Sequence, residues 1–201
     1  MSVDFEKINL YKKYLNTVQP VIDKYFEEQK EYIKCKKGCS YCCEKGAYPF
    51  SEVEFTYLLL GLLKLDIEIR EKALQRIRDL KEEYAKAEDK KHFMHRCPFL
   101  GENGCCILYD FRGLICRTFG LIHKDHQSGK VTMSFCYEYG LNYAEVYNKE
   151  IKKLDYDKVK KLGYKNIPQA YLLGLKNLMS EDIFENEKLD FGEIKSLIEW
   201  L

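Results

Sequence analysis

Long apolar runs are missing from this 201-residue chain: the longest, Leu58 to Leu63, falls far short of the ~20 residues a membrane-spanning helix needs. No secretory signal is visible, because the opening MSVDFEKINL carries acids and no apolar h-region. An excess of either charge is lacking too. Lys and Arg number 33 against 32 Asp and Glu, a net charge of +1, which leaves no electrostatic footprint for nucleic acid or an acidic membrane surface. Repeats, low-complexity tracts and long linkers are absent. Together these absences predict a cytoplasmic protein with no membrane and no nucleic-acid partner. They name no protein partner.

Cysteine is missing from the first 34 and the last 65 residues, yet nine lie between, at 35, 39, 42, 43, 97, 105, 106, 116 and 136. An odd count in a reducing compartment makes a poor disulfide framework, and thiols placed by core packing alone would not cluster this way. Metal binding explains the clustering. The density peaks in CKKGCSYCC, residues 35–43. Alone, Cys35-x3-Cys39-x2-Cys42 with Tyr41 before the last cysteine has the cluster-binding spacing of radical enzymes that use S-adenosylmethionine. Such enzymes need a barrel of alternating strands and helices and a glycine-rich cofactor segment. Neither is legible, and two long helical patterns follow the motif instead.

With 46% apolar and 32% charged residues, the length suits one globular domain over residues 1–201. Helical periodicity runs from Val3 to Ile33, interrupted by Pro20, which predicts two helices or one kinked helix. Ile8, Leu10, Tyr11, Tyr14, Leu15 and Val18 form its apolar stripe, continued by Val21, Ile22, Tyr25, Phe26, Tyr32 and Ile33. Ser51 and Glu54 read as a capping box opening a helix to about Leu65. Asp66 caps the next, to about Lys90, with Ile67, Leu74, Ile77, Leu80 and Tyr84 inward and a solvated face carrying Arg70, Lys72, Arg76, Arg78, Lys81 and Lys86. From Cys97 to Cys136 glycines and Pro98 break any long helix. Asp110 marks one short turn, and residues 119–123 and 131–135, flanking His126-Gln127-Ser128-Gly129, predict a small β-hairpin. Beyond Cys136, capping boxes at Asn142…Glu145 and Asp190…Glu193 and a helix opened by Pro168 through Leu178 are expected. The fold class is mainly α, with helices wrapped around an irregular cysteine-rich metal centre and room for one small β-hairpin.

Fifty-three residues separate Cys43 from Cys97. For both cysteine groups to meet, the two helices after Ser51 must run out and back, and closure entropy for such a loop grows only logarithmically. Thiolate is the ligand form and needs compensating charge; Lys34, Lys36, Lys37, Arg96, Arg112 and Arg117 lie beside or near cysteines. Neighbouring side chains of an extended segment point to opposite sides. Cys42 and Cys43, like Cys105 and Cys106, are therefore expected to serve two sites or to divide into a ligand and a packing residue. Of the histidines, His95 and His123 are better placed as ligands than His92 and His126.

The second group is more specific. Cys97-Pro98-Phe99-Leu100 leads through a Gly-containing gap to Cys106-Ile107-Leu108-Tyr109-Asp110-Phe111-Arg112, then Cys116-Arg117-Thr118-Phe119, and finally Cys136. With the Cys-Cys pair and the early Glu of the helix that follows it, this resembles the YkgJ-like cysteine-cluster family, whose core is the CxxCxxCC zinc- or iron-chelating domain. The resemblance spans about residues 35 to 136, the flanking helices lying outside it. It implies eight thiolate ligands: Cys35, Cys39, Cys42, Cys43, Cys97, Cys106, Cys116 and Cys136. Cys105 is surplus. Tyr109, Arg112 and Arg117 fall at the family's Tyr and Arg positions. The chain departs from the pattern in its first gap of three residues, in Gly113 where the family has Pro, and in Gly120 where Pro is frequent.

The resemblance leaves open a zinc or iron ion and an iron–sulfur cluster. Zinc sites built from four cysteine ligands stabilise folding directly, and clusters also favour closely spaced cysteines. An all-cysteine set larger than one zinc needs tips the expectation to the cluster. Three roles are compatible: a metal-binding protein of structural, storage or electron-transfer type, a protein lysine N-methylase similar to flagellin methylases, or a zinc-stapled interaction module. No base, nucleophile or cofactor loop stands out; Asp110, Asp125 and Glu138 near the cysteines read as surface-turn carboxylates. Whether the chain is an enzyme stays open.

Overall fold

The computed structural model describes residues 4–36, 38–125, 128–179 and 188–201. In chain order the elements are α1 (Phe5–Glu28), α2 (Tyr41–Glu44), β1 (Pro49–Ser51), α3 (Glu52–Leu63), α4 (Ile67–Lys86), a 3-10 turn (Tyr109–Phe111), α5 (Leu114–Thr118), β2 (Ile122–Lys124), β3 (Val131–Thr132), a second 3-10 turn (Phe135–Tyr139), β4 (Tyr147–Asn148), β5 (Lys153–Leu154), α6 (Tyr156–Lys161), β6 (Ala170–Tyr171), α7 (Leu175–Leu178), β7 (Ile194–Ser196) and α8 (Leu197–Trp200). The chain is mainly α with small sheets. Among the described residues no helix is long and apolar enough to cross a membrane. Two compact units emerge: Met1–Tyr14, Lys37–Arg117 and Phe184–Leu201 form the first, Leu15–Lys36 and Thr118–Ile183 the second.

α1 is one helix with Pro20 inside it. Pro20 is exposed, so the Asn16 carbonyl, left without its helical donor, can turn to water. The stripe is buried at Ile8, Tyr11, Tyr14, Leu15, Val18, Ile22 and Tyr32, whereas Val21 is 43% exposed.

In the first unit Ser51 caps α3 with a complete capping box. The core joins Phe50, Phe55, Leu58, Leu62, Ala73, Ile77, Phe99, Leu108 and Leu197, with Cys97, Cys106 and Cys116 packed against it. Each large apolar side chain so buried contributes about 1.5–3 kcal/mol. β1 pairs antiparallel with β7, and the Trp200 indole donates to the Phe50 carbonyl at 2.8 Å. Asp66 stands at the start of α4 without a side-chain cap bond, and α4 ends at Lys86.

The second unit holds a core of Tyr32, Ile122, Tyr143, Val146 and Val159. β2 pairs antiparallel with β3, as the hairpin expectation has it, and parallel with β6; His126 and Gln127 of its turn lie outside the described residues. Buried Gln29 accepts from Gln169 N–H at 3.0 Å and from the Tyr143 hydroxyl at 3.3 Å, and donates to the Ile167 carbonyl at 3.4 Å.

The region after Cys136 departs from expectation. Asn142 starts no helix: Tyr143 has φ +60°, the left-handed region, which a helix cannot continue through. Glu145 bonds the Tyr164 hydroxyl instead of closing a box. Pro168 opens no long helix, since Ala170–Tyr171 pairs with β2 and only Leu175–Leu178 is helical. Asp190 accepts from Gly192 N–H at 2.9 Å with Gly192 at φ +70°, a tight turn in place of a helix start. The capping box of that segment is Ser196 with Glu199.

Gly61, inside α3, lies against Phe111: a Cβ there would sit 2.4 Å from the ring's Cγ. Gly61→Ala is therefore expected to destabilise by about 1–3 kcal/mol through overpacking, although helix propensity alone favours Ala by about 1 kcal/mol. Urea unfolding decides between them; a net gain in stability would show that the contact is soft.

Candidate metal centre

Four thiols gather in the first unit from separate stretches of chain. Cys43 lies on α2, Cys97 and Cys106 flank the Phe99–Leu100 segment, and Cys116 lies on α5. Backbone contacts bring the stretches together. Cys97 N–H donates to the Cys43 carbonyl at 2.7 Å, and Gly46 and His95 exchange bonds of 3.0 and 3.3 Å. Arg96 meets Glu44 at 2.9 Å. Gly104 (φ +73°) approaches Gly38 so closely that a Cβ would stand 2.9 Å from its carbonyl oxygen. The out-and-back course of the intervening helices thus returns the chain to its starting point.

Burial raises the Cys97 thiol to about 12 and the Cys106 thiol to about 11, and holds Cys116 well above its ordinary value. Mutual repulsion adds to this: Cys43 and Cys106 act on Cys97, Cys43 acts on Cys106, and all three act on Cys116. Cys43 is lowered, first by a hydrogen bond from Cys42. Without a metal, then, three of the four are neutral, partly buried thiols, and a cation that displaces their protons would relieve the repulsion among thiolates. Among the described residues no group of three or more His, Cys, Asp or Glu stands in metal-holding array.

Cys42 and Cys43 correct the extended-segment expectation. They sit on a helical turn, not a strand, and their sulfurs lie 3.9 Å apart. The Tyr48 hydroxyl fixes this turn by donating to the Cys42 carbonyl at 2.6 Å. Cys39 and Cys105 belong to the same unit and are half-buried. Cys105 is held by its backbone, donating to Asn103 Oδ1 at 3.0 Å and accepting from Gly101 N–H at 2.8 Å.

Cys35 and Cys136 pair in the second unit, where a hydrogen bond from Cys35 lowers the Cys136 thiol. Fully buried Asn142 holds this place. Its Oδ1 accepts from Lys34 N–H at 2.8 Å and Cys35 N–H at 3.1 Å, and its Nδ2 donates to the Gly120 carbonyl at 3.1 Å. Gly120 has φ +108°, and a Cβ there would lie 2.5 Å from Asn142 Nδ2. That close approach explains glycine where proline is frequent in the resembling pattern.

The basic residues divide by role. Arg112 lowers Cys43, Cys106 and Cys116 and stacks on Tyr109 at 3.5 Å. Arg117 is a loop staple, donating to the carbonyls of Arg112 at 2.8 Å and Asp110 at 2.6 Å. Arg76, expected on a solvated face, instead donates to the Leu100 carbonyl at 2.6 Å and lowers Cys97. His92 is exposed and bonds Asp89 at 2.7 Å. His95 is buried with Nδ1 on the Arg96 carbonyl at 3.0 Å and Nε2 without a hydrogen-bond partner. His123 bonds the Thr118 carbonyl at 3.2 Å.

A family model described as "CxxCxxCC: Putative zinc- or iron-chelating domain" matches residues 34–137, half of the chain. The chain belongs to this family. No curated protein and no solved structure matched it. The CxxCxxCC span takes in all nine cysteines, together with Glu54, Arg76 and Arg112. Sequence reasoning overlooked Glu54's second partner, Asn142 and Arg76. For Arg76 a signal was available, since it stands one residue before core Ile77 on the same helix.

Asn142→Ala strands three backbone groups, those of Lys34, Cys35 and Gly120, and should cost about 2–4 kcal/mol of stability. Denaturant unfolding is the check; a loss under about 0.5 kcal/mol would mean that water or a shifted loop replaces the amide.

Proposed function

We propose that the chain is a thiolate metal-binding protein centred on Cys43, Cys97, Cys106 and Cys116, with Cys35, Cys39, Cys42 and Cys136 as the remaining ligands and an iron–sulfur cluster as the preferred occupant over a zinc or iron ion. The observation that carries it is the gathering of four thiols from three separate stretches into one unit, three of them partly buried and held above their ordinary ionisation range by burial and by one another. Such a set is costly to ionise without a cation and well suited to one with a cation. Arg112 supplies positive charge beside it, offsetting the net charge of about −2 that four thiolates leave on a divalent ion. The cluster reading rests on the surplus of thiols over the four that one zinc needs. A cluster bound there would supply one-electron redox chemistry; zinc would supply a structural crosslink.

Helices wrapped around an irregular centre, a single domain over residues 1–201 and a cytoplasmic location belong to the same proposal. The interleaving of the two units' segments along the chain supports the single domain.

Protein purified anaerobically should be brown, with acid-labile sulfide and iron. Cys106→Ser should lose most of the metal, and Cys105→Ser should keep nearly all of it. Colourless protein with stoichiometric zinc would overturn the cluster while leaving the ligands in place. Equal metal loss in both variants would overturn the choice of Cys106.

A further inference from the structure

The capping box at the start of α3 needs only one oxygen of Glu54. Oε2 accepts from Ser51 N–H at 2.8 Å and from the Ser51 hydroxyl at 2.7 Å, which completes the reciprocal cap. Oε1 is spent elsewhere, accepting from the backbone N–H of Leu114 at 2.6 Å, 60 positions along the chain. Leu114 opens α5, and Cys116 follows two residues later. That amide is one of the orphan donors of a helix start, and here a distant side chain satisfies it.

Burial sets this box apart. Glu54 is 1% exposed, whereas the box of Ser196 and Glu199 at α8 closes with the same local bonds at an exposed position. A cap alone does not require an interior carboxylate, which is costly to desolvate. The neighbouring backbone is fitted to it as well. A Cβ at Gly113 would lie 2.6 Å from the Phe50 ring and 3.1 Å from Glu54 Oε1, which explains glycine where the resembling pattern has proline.

We propose that Glu54 is a positioning residue of the metal centre: its Oε1 anchors the Leu114 amide and thereby sets where α5 places the Cys116 thiol relative to Cys43, Cys97 and Cys106. The role rests on the four-thiolate reading above. It belongs to this carboxylate's second oxygen and is separable from the cap.

The separation can be tested on metal-free full-length protein, prepared anaerobically and titrated with cobalt(II), whose charge-transfer and d–d bands report thiolate ligation and its geometry. Glu54→Gln is close in shape but puts an N–H2 donor where one acceptor stood, so it cannot serve both Ser51 and Leu114. Ser51→Ala weakens the cap and leaves Oε1 on Leu114. Glu54→Gln is expected to weaken cobalt binding about 10–100-fold, as loss of an outer-shell partner does, to shift the d–d bands, and to speed amide exchange at Leu114–Cys116. Ser51→Ala should keep the wild-type bands and an affinity within about threefold. Should Glu54→Gln fail to fold, Gly113→Ala, which leaves carboxylate and cap intact while crowding the Leu114 anchor, should reproduce the weakened binding and shifted bands. Wild-type bands and affinity in Glu54→Gln, or an equal effect in Ser51→Ala, would overturn the positioning role alone. A wild-type chain that takes up no cobalt would overturn the four-thiolate ion site and this role with it.

Discussion

The bond from Cys97 N–H to the Cys43 carbonyl, 2.7 Å long, is the point at which the first unit closes on itself. It ends an excursion through β1, α3 and α4 and sets two cysteine-bearing segments side by side. Bonds between Gly46 and His95 and the Arg96–Glu44 pair extend the junction. Closing so long a loop costs little more than closing a shorter one, and the core beneath α3 and α4 offsets that cost. The cysteine-bearing stretches therefore come together because the helices between them have somewhere apolar to pack, with Cys97, Cys106 and Cys116 against the same core.

That packing creates the site's electrostatic tension. Thiols partly buried against the core of Phe50, Phe99 and Leu108 resist ionisation, and each thiolate formed would raise the next. Chelation, the property by which the CxxCxxCC family is described, would relieve that repulsion. The supports are polar and specific: Arg112 offsets charge, Arg117 staples the loop that bears Arg112, and backbone carbonyls anchor both guanidinium groups.

Legibility in the sequence followed the range of the interactions. The α1 stripe, the Ser51 cap, the two long helices and the β2–β3 hairpin rest on local periodicity or turn chemistry, and each appears. The cysteine pattern marked the family because ligand spacing is itself local. The region after Cys136 misled, since Asn142 and Asp190 look like caps while their side chains are committed elsewhere, Asn142 to the backbone around Cys35 and Asp190 to Gly192. Residues with two-sided roles were equally opaque. Glu54 reads as a cap and also reaches Leu114, and Arg76 reads as solvated yet reaches Leu100. No spacing rule encodes a partner 60 residues away. The placement of Cys42 and Cys43 on a helical turn also escaped, because the Tyr48 and Gly46 contacts that shape the turn come after it in the chain.

The most direct test of the account is an anomalous-difference map from crystals of anaerobically purified protein, recorded across the iron and zinc absorption edges. The account predicts anomalous density bonded to the sulfurs of Cys43, Cys97, Cys106 and Cys116, at about 2.3 Å from each thiolate. Metal density that touches none of these four sulfurs, in protein shown to carry metal, would contradict it.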